Sequence, residues 1–295
     1  SRNLNAIGIA EQVTEALVRD GESWAKDDVV LAIDFSDIAK EYAEKMEYLV
    51  SVRDGSAQDA LTKGYWHLGV VGADIKGDRL TPLLMDLFSQ DAVDLESENA
   101  QILNGFDQVR SALKGRGIWA IDRGGARGCL LGGLLTRSCR LVVRLVGERY
   151  LKNWRGVVRK SMALANGMRC PEVFEIVTED QGTRKRHRVR IGCQRVQLPK
   201  REEWLTLVVV KGSGVKPMLL LTNAVDKSLR AILEIYLTRW KIEECYRFLK
   251  SSYYLEDVRV RSYVGLRYVA ALLMAAFYFP AVVLGSRFEL SILMR

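Results

Sequence analysis

At 295 residues, with 48% hydrophobic and 27% charged side chains, the chain has the composition of a globular protein and length for a large core or a core with an insertion. Its net charge of +8 and pI of about 9.2 point to a polyanionic partner. Five scattered cysteines with no CxxC pair, and only His67 and His187, argue against a disulfide framework, a zinc site or a histidine-based centre, so any metal would be held by carboxylates and would be magnesium or manganese.

Residues 1–28 read as a helical remnant with Ile7, Ile9, Val13, Leu17 and Val18 on its apolar side and no signal peptide. The apolar run Val29 to Ile33 predicts a strand buried on both faces, which delivers Asp34. Asp37 is read as the cap of a helix beginning near Ile38, leaving Asp34 for chemistry. Strands are expected over 65–73 and 79–84, joined by a turn at 76–78. Ile102, Leu103, Phe106, Val109 and Leu113 recur at helical spacing, and Gly115 to Gly117 stop that helix. The strand 118–121 ends in Asp122, and the turn Arg123-Gly124-Gly125 lets its carboxylate stand exposed. A helix over 128–136 and a strand over 140–146 follow.

The chain between Asp122 and Glu243 is too long for one helical connection. Strand-like segments at 172–178, 188–198, 205–211 and 218–221 predict a β-rich insertion over 149–221. Within it, 181–201 holds Arg184, Lys185, Arg186, Arg188, Arg190, Arg195, Lys200 and Arg201 and no acidic residue, which suits either DNA phosphates or an ordinary solvated hairpin. The apolar run 268–284 is short for a membrane span, contains Pro280 and follows Arg267, so it is read as a buried core helix. A soluble, cytoplasmic protein is expected.

From Tyr236 to Lys250 the residues favour a single helix. At roughly 100° per residue, Tyr236, Arg239, Glu243 and Lys250 share an arc of about 60°, with Arg247 beside them. That stacking suits a helix aiming a carboxylate at a metal and cations at phosphates, although a solvated helix with Arg239 and Glu243 as an i,i+4 pair has the same residues. Glu244, at about 80°, is the weaker rival to Glu243.

The spacing Y-x-x-R-x-x-x-E-x-x-x-x-x-x-K resembles the signature of bacterial insertion-sequence transposases, the DDE enzymes with a YREK motif. Asp34 with Ser36 resembles the family's first catalytic motif, with Phe35 bulkier than usual, and Asp122-Arg123-Gly124 resembles the second. Arg144 matches a basic position of the family. The resemblance implies an α/β, RNase H-like mixed sheet flanked by helices and interrupted by the insertion. The expected organisation is a remnant at 1–28, core parts at 29–148 and 222–295, and the insertion at 149–221.

It further implies catalytic and metal-ligating roles for Asp34, Asp122 and Glu243, which would hold two Mg2+ (or Mn2+) ions with Asp34 as the bridge. Tyr236, Arg239, Arg247 and Lys250 would grip the DNA end, Arg184, Lys185 and Arg186 would bind DNA through the insertion, and Trp204 would stack on a flipped base or be a buried tryptophan. The implied activity is nicking at element ends and strand transfer into target DNA by a bacterial, nucleoid-associated homodimer on double-stranded DNA. A nuclease without strand transfer and an inactive DNA-binding remnant remain open.

Overall fold

The structure, a computed structural model, describes residues 12–20, 25, 27–54, 60–75, 79–180 and 183–283. The chain begins with a helix over 12–20 (α1), followed by β1 Val30–Ala39, β2 Val50–Asp54, β3 Ala60–Ala73, β4 Leu80–Phe88 and α2 Glu98–Ala112. Next come β5 Ile118–Ile121, a 3-10 turn Arg123–Ala126, α3 Gly128–Thr136, β6 Leu141–Arg144, β7 Tyr150–Asn153, β8 Val158–Lys160 and α4 Ser161–Asn166. Then β9 Glu172–Asp180, β10 Thr183–Gln197, β11 Leu205–Lys211 and β12 Met218–Thr222 lead into α5 Leu229–Thr238, α6 Trp240–Ser252 and α7 Tyr263–Tyr278. The described residues form two compact units, one built from the chain before Ile118 and after Arg239, the other from Ile118–Arg239. Both are mixed α/β.

In the first unit β3 pairs antiparallel with β1, from Val30↔Ala73 to Ala39↔Gly64, and with β4, from Trp66↔Phe88 to Ala73↔Leu80. The register puts Ala32, Asp34, Ser36 and Ile38 on one face with Val71, Gly69, His67 and Tyr65. On that face Ile242, Cys245, Tyr246 and Leu249 of α6, and Tyr263, Leu266, Ala270 and Met274 of α7, join Ala32, Ile38, Tyr65 and Val71 in one buried cluster. The opposite face meets α2 at Gly105, where a Cβ would stand 2.5 Å from a Leu68 methyl. Helices on both faces explain why residues 29–33 are uniformly apolar.

The helix expected near Ile38 is absent. The strand runs on through Asp34 to Ala39 because Ile38 pairs with Tyr65 inside the core and Gly64 leaves room for the Ile38 carbonyl, 2.2 Å from where a Cβ would sit. Asp37 is therefore a buried strand residue and caps no helix. α7 continues as a π-helix over Phe279–Val283, and together they are long and apolar enough to cross a membrane by length and composition, with a mean hydropathy of 1.8. One side of it, Leu266, Ala270, Met274 and Phe277, is buried, while Leu272 on the other is 43% exposed, so the helix is a half-covered one rather than fully buried.

In the second unit β5 and β6 are parallel, and β6 continues through β12, β11, β10 and β7 to β8, with β9 on the first half of β10. The strands after residue 149 thus extend the β5–β6 pair through β12. Asn223 fixes this junction by accepting from the Leu141 N–H at 2.9 Å and donating to the Cys139 carbonyl at 2.7 Å. α5 starts at Leu229, where the Ser228 hydroxyl accepts from the Ala231 N–H. The expected ranges of α3 and β11 coincide with the observed ones, whereas β2, β7 and β8 carry no periodicity that marked them.

Candidate active site

Asp34 is half-buried at the middle of β1. Its backbone carbonyl accepts a hydrogen bond of 3.1 Å from the Tyr246 hydroxyl of α6, the helix that carries Glu243. Gly69, opposite Asp34 in the ladder, makes this contact sterically feasible, since a Cβ there would stand 2.0 Å from the Tyr246 oxygen and 2.7 Å from its Cζ. The His67 ring meets the Tyr246 ring edge-on at 4.3 Å. Complete burial holds His67 down to about 3, with the nearby Lys250 ammonium acting the same way and the Ser36 backbone opposing.

Asp122 closes β5 in an extended conformation, and its side chain caps nothing in the turn that follows. Gly125 is needed there because a Cβ would fall 2.1 Å from an Ile121 methyl. The carboxylate instead accepts a hydrogen bond of 3.3 Å from the hydroxyl of Tyr236 on α5, and Arg144, at the end of β6, donates to that hydroxyl at 3.4 Å. Tyr236 is 1% exposed. Its phenol is pushed up by burial first and by the Asp122 charge second. A tyrosine expected to meet a DNA phosphate is thus turned inward onto the catalytic-motif aspartate.

The signature stretch is interrupted at one residue: α5 ends at Thr238 and α6 begins at Trp240, with Arg239 between them in helical conformation (φ −52°, ψ −33°) and its N–H bonded to the Tyr236 carbonyl at 3.1 Å, a tightened turn in an otherwise helical run. Tyr236 and Arg239 belong with Asp122 in the second unit, while Glu243, Arg247 and Lys250 belong with Asp34 in the first. Arg239 is 3% exposed with its guanidinium 6.0 Å from the Tyr236 ring centre, whereas Arg247 is exposed. Lys250 lies 3.0 Å from Glu256 and 3.9 Å from Asp37. Glu256 also accepts from the Ala39 N–H, and the buried Lys40 ammonium donates to the carbonyls of Leu255, Glu256 and Val258 at 2.7–2.9 Å. The side chain of Glu244 lies outside the described residues.

The basic run of the insertion lies on β10, where Arg188 stands opposite Glu175 of β9 in the ladder while Arg186 and Arg190 stand opposite Val177 and Val173. The side chains of Arg184 and Lys185 lie outside the described residues, and Arg186 is exposed. Trp204 is 41% exposed, with the Arg195 guanidinium 4.9 Å from its ring centre, so it is a surface tryptophan and not a buried one.

Tyr246, Gly69 and His67 were not singled out by motif, because their role depends on the pairing of β1 with β3 and on α6 above it. Among the described residues no three His, Cys, Asp or Glu side chains are grouped so as to hold a metal ion. The residues expected to hold one, Asp34, Asp122 and Glu243, offer carboxylates alone, which suit a hard cation, and burial pushes the Cys245 thiol of α6 up, away from the thiolate a soft metal would need.

No curated protein matches the chain. Among solved structures, the cryo-EM piggyBac transposase synaptic complex with hairpin DNA is similar, with a TM-score of 0.48 and 12% identity. That likeness covers 88% of this chain and 50% of the other, so the chain spans about half the length of that protein. A family model described as a transposase DDE domain matches residues 92–279, a range that includes Asp122, Tyr236, Glu243 and Lys250 and begins after Asp34. With more than half of its length matched, the chain belongs to the transposase DDE domain family.

Proposed function

We propose that the chain is a transposase that nicks DNA at element ends and transfers the strand into target DNA, with Asp34, Asp122 and Glu243 as its catalytic carboxylates. The observation that carries this reading is that the two halves of the signature stretch each fasten onto a different motif aspartate. Tyr236 bonds the Asp122 carboxylate, and Tyr246, three residues after Glu243, bonds the Asp34 backbone. Family members generally use divalent metal ions, and these three carboxylates would hold Mg2+ or Mn2+, two ions in the full reading. When bound, such ions activate the attacking oxygen and stabilise the departing one. The chain's own part is to keep the aspartates in place through the two tyrosines, and to grip phosphates with Arg247 and Lys250, charge-assisted bonds that Arg can make bidentate. Lys250 would exchange Glu256 for a phosphate. Double-stranded DNA is the partner, and a homodimer on DNA is the proposed assembly.

The test is magnesium-dependent nicking of DNA that carries the element ends, followed by joining of the freed 3′-OH end to a second duplex. Asp34→Asn, Asp122→Asn and Glu243→Gln should each abolish nicking and leave binding nearly intact, because positioning on DNA comes mainly from basic groups. Glu244→Gln should stay active. Cleavage retained in any of the three would remove that residue from the site, and nicking without joining would make the protein a nuclease.

A further inference from the structure

Residues 118–239 hold 24 of the chain's 44 Lys and Arg but only 10 of its 36 Asp and Glu, a net +14 against −6 for the rest. Many of these cations are already engaged. Arg140 pairs with Asp226, Arg144 serves Tyr236, Arg201 pairs with Glu203 and Arg230 pairs with Glu234. The β7–β8 hairpin differs. From residue 149 to 171 the sequence has no carboxylate, and among the described residues none pairs with Lys152, Arg155 or Arg159. Arg149 turns inward to the Ala126 carbonyl, and Lys160 is held by Glu148.

The tip of the hairpin is built rather than slack. The Asn153 side chain accepts from the N–H groups of Arg155 and Val157, both at 3.0 Å, and Gly156 supplies the left-handed residue with φ of 78°. This turn presents Trp154 with 63% of its surface exposed, and the Arg155 guanidinium lies 4.5 Å from its ring centre. Val157 and Val158 are exposed beside it, and β8 ends the run of paired strands. A large apolar ring raised into water among unpaired cations has little to gain in a free monomer. Cations along a strand with an accessible aromatic face are the combination that holds nucleic acid, phosphates on the cations and a base on the ring.

We propose that the β7–β8 hairpin is a DNA-contacting element, with Arg155 at the tip and Lys152 and Arg159 on its two faces meeting phosphates, and the Trp154 indole against an exposed base. The inference rests on the DNA partner proposed above and is independent of the catalytic assignment.

The experiment measures affinity of the full chain for a duplex with a single-stranded overhang, as a function of salt and with EDTA present, so that cleavage plays no part. Lys152→Gln/Arg155→Gln/Arg159→Gln should flatten the slope of log affinity against log salt by about 3, close to 0.9 per phosphate lost. Per charge removed, Arg186→Gln/Arg190→Gln on β10 should flatten it less. Trp154→Ala should weaken overhang binding about 5- to 100-fold. Trp154→Phe, a milder change, should keep most affinity while losing the DNA-induced quenching of tryptophan emission. A parental salt slope in the triple variant overturns the proposal, as does Trp154→Ala that leaves DNA affinity unchanged and abolishes self-association in sedimentation. Binding that behaves as expected in a protein that never nicks would leave the hairpin's role standing and sink the catalytic reading instead.

Discussion

Gly69 shows how one absent side chain arranges a site. It has no signature around it, yet its missing Cβ is what lets the Tyr246 hydroxyl reach the Asp34 carbonyl. Tyr246→Phe removes one neutral hydrogen bond, about 1 kcal/mol of stability. Its effect on nicking should be larger, on the order of 10-fold or more at saturating DNA with affinity unchanged, since a displacement of about 1 Å can cost about 100-fold. Gly69→Ala should be worse, because the Tyr246 Cζ, which phenylalanine also has, stands 2.7 Å from the new atom. Equal losses in rate and affinity would reduce Tyr246 to a packing residue. His67, against the same ring, carries a pH dependence. Its folded value of about 3 lies below the ordinary 6.5, so the unfolded chain binds the proton first as pH falls. That contribution to stability is complete above pH 6.5 and is lost on descending towards 3, amounting to roughly 3 kcal/mol by pH 4. His67→Phe keeps an edge-on ring and should show a shallower acid limb in urea titrations taken between pH 6.5 and 4. Parallel limbs for the two proteins would mean that His67 is not buried neutral.

Between elements, the fastening of β1 to the segment after α6 depends on Lys40. Burial lowers its ammonium to about 8, with Glu256 and Asp257 opposing, and it donates to three backbone carbonyls within one turn of chain. Without it those carbonyls lose their partner together, at a cost of about 1–3 kcal/mol for a buried polar group left unpaired. Lys40→Met fills similar space and should lower the urea midpoint accordingly, with faster amide exchange confined to residues 249–258. Unchanged exchange there would show that the clasp is replaced by water. Since Glu256 of this segment also holds Lys250, the same variant should loosen the signature lysine without touching Glu243.

Across the whole molecule, charge and apolar surface are distributed unevenly. The cation excess lies in residues 118–239, whereas α7, outside them, shows an apolar side away from the core. Its inward side packs with β4, and Arg267 near its start is paired with Asp86 at 3.2 Å and Asp94 at 3.4 Å. If the outward side faces water, Leu272→Glu should change stability by no more than about 0.5 kcal/mol. In a bilayer, where a charge at the centre costs about 3 kcal/mol, it should expel the helix instead. We expect the first outcome, with the parental distribution between soluble and membrane fractions unaltered; a shift from membrane to soluble fraction on substitution would reverse it.

The sequence by itself determined the features that are local. Apolar runs ending in Asp34 and Asp122, the Gly125 turn, α3, β11 and the spacing of Tyr236, Arg239, Glu243 and Lys250 were all legible, because each rests on a few consecutive residues and a backbone period. Tertiary structure decided everything that pairs residues far apart. It carried β1 on to Ala39 by matching Ile38 with Tyr65, and it divided the signature at Arg239, where Tyr236 and Glu243 belong to different units. It also set Glu175 of β9 opposite Arg188 of β10, and left Lys152, Arg155 and Arg159 of the β7–β8 hairpin without a carboxylate partner among the described residues. A carboxylate opposite an arginine across a ladder is invisible to composition, since register is fixed by burial of the alternate residues and by turn geometry, not by the charges themselves.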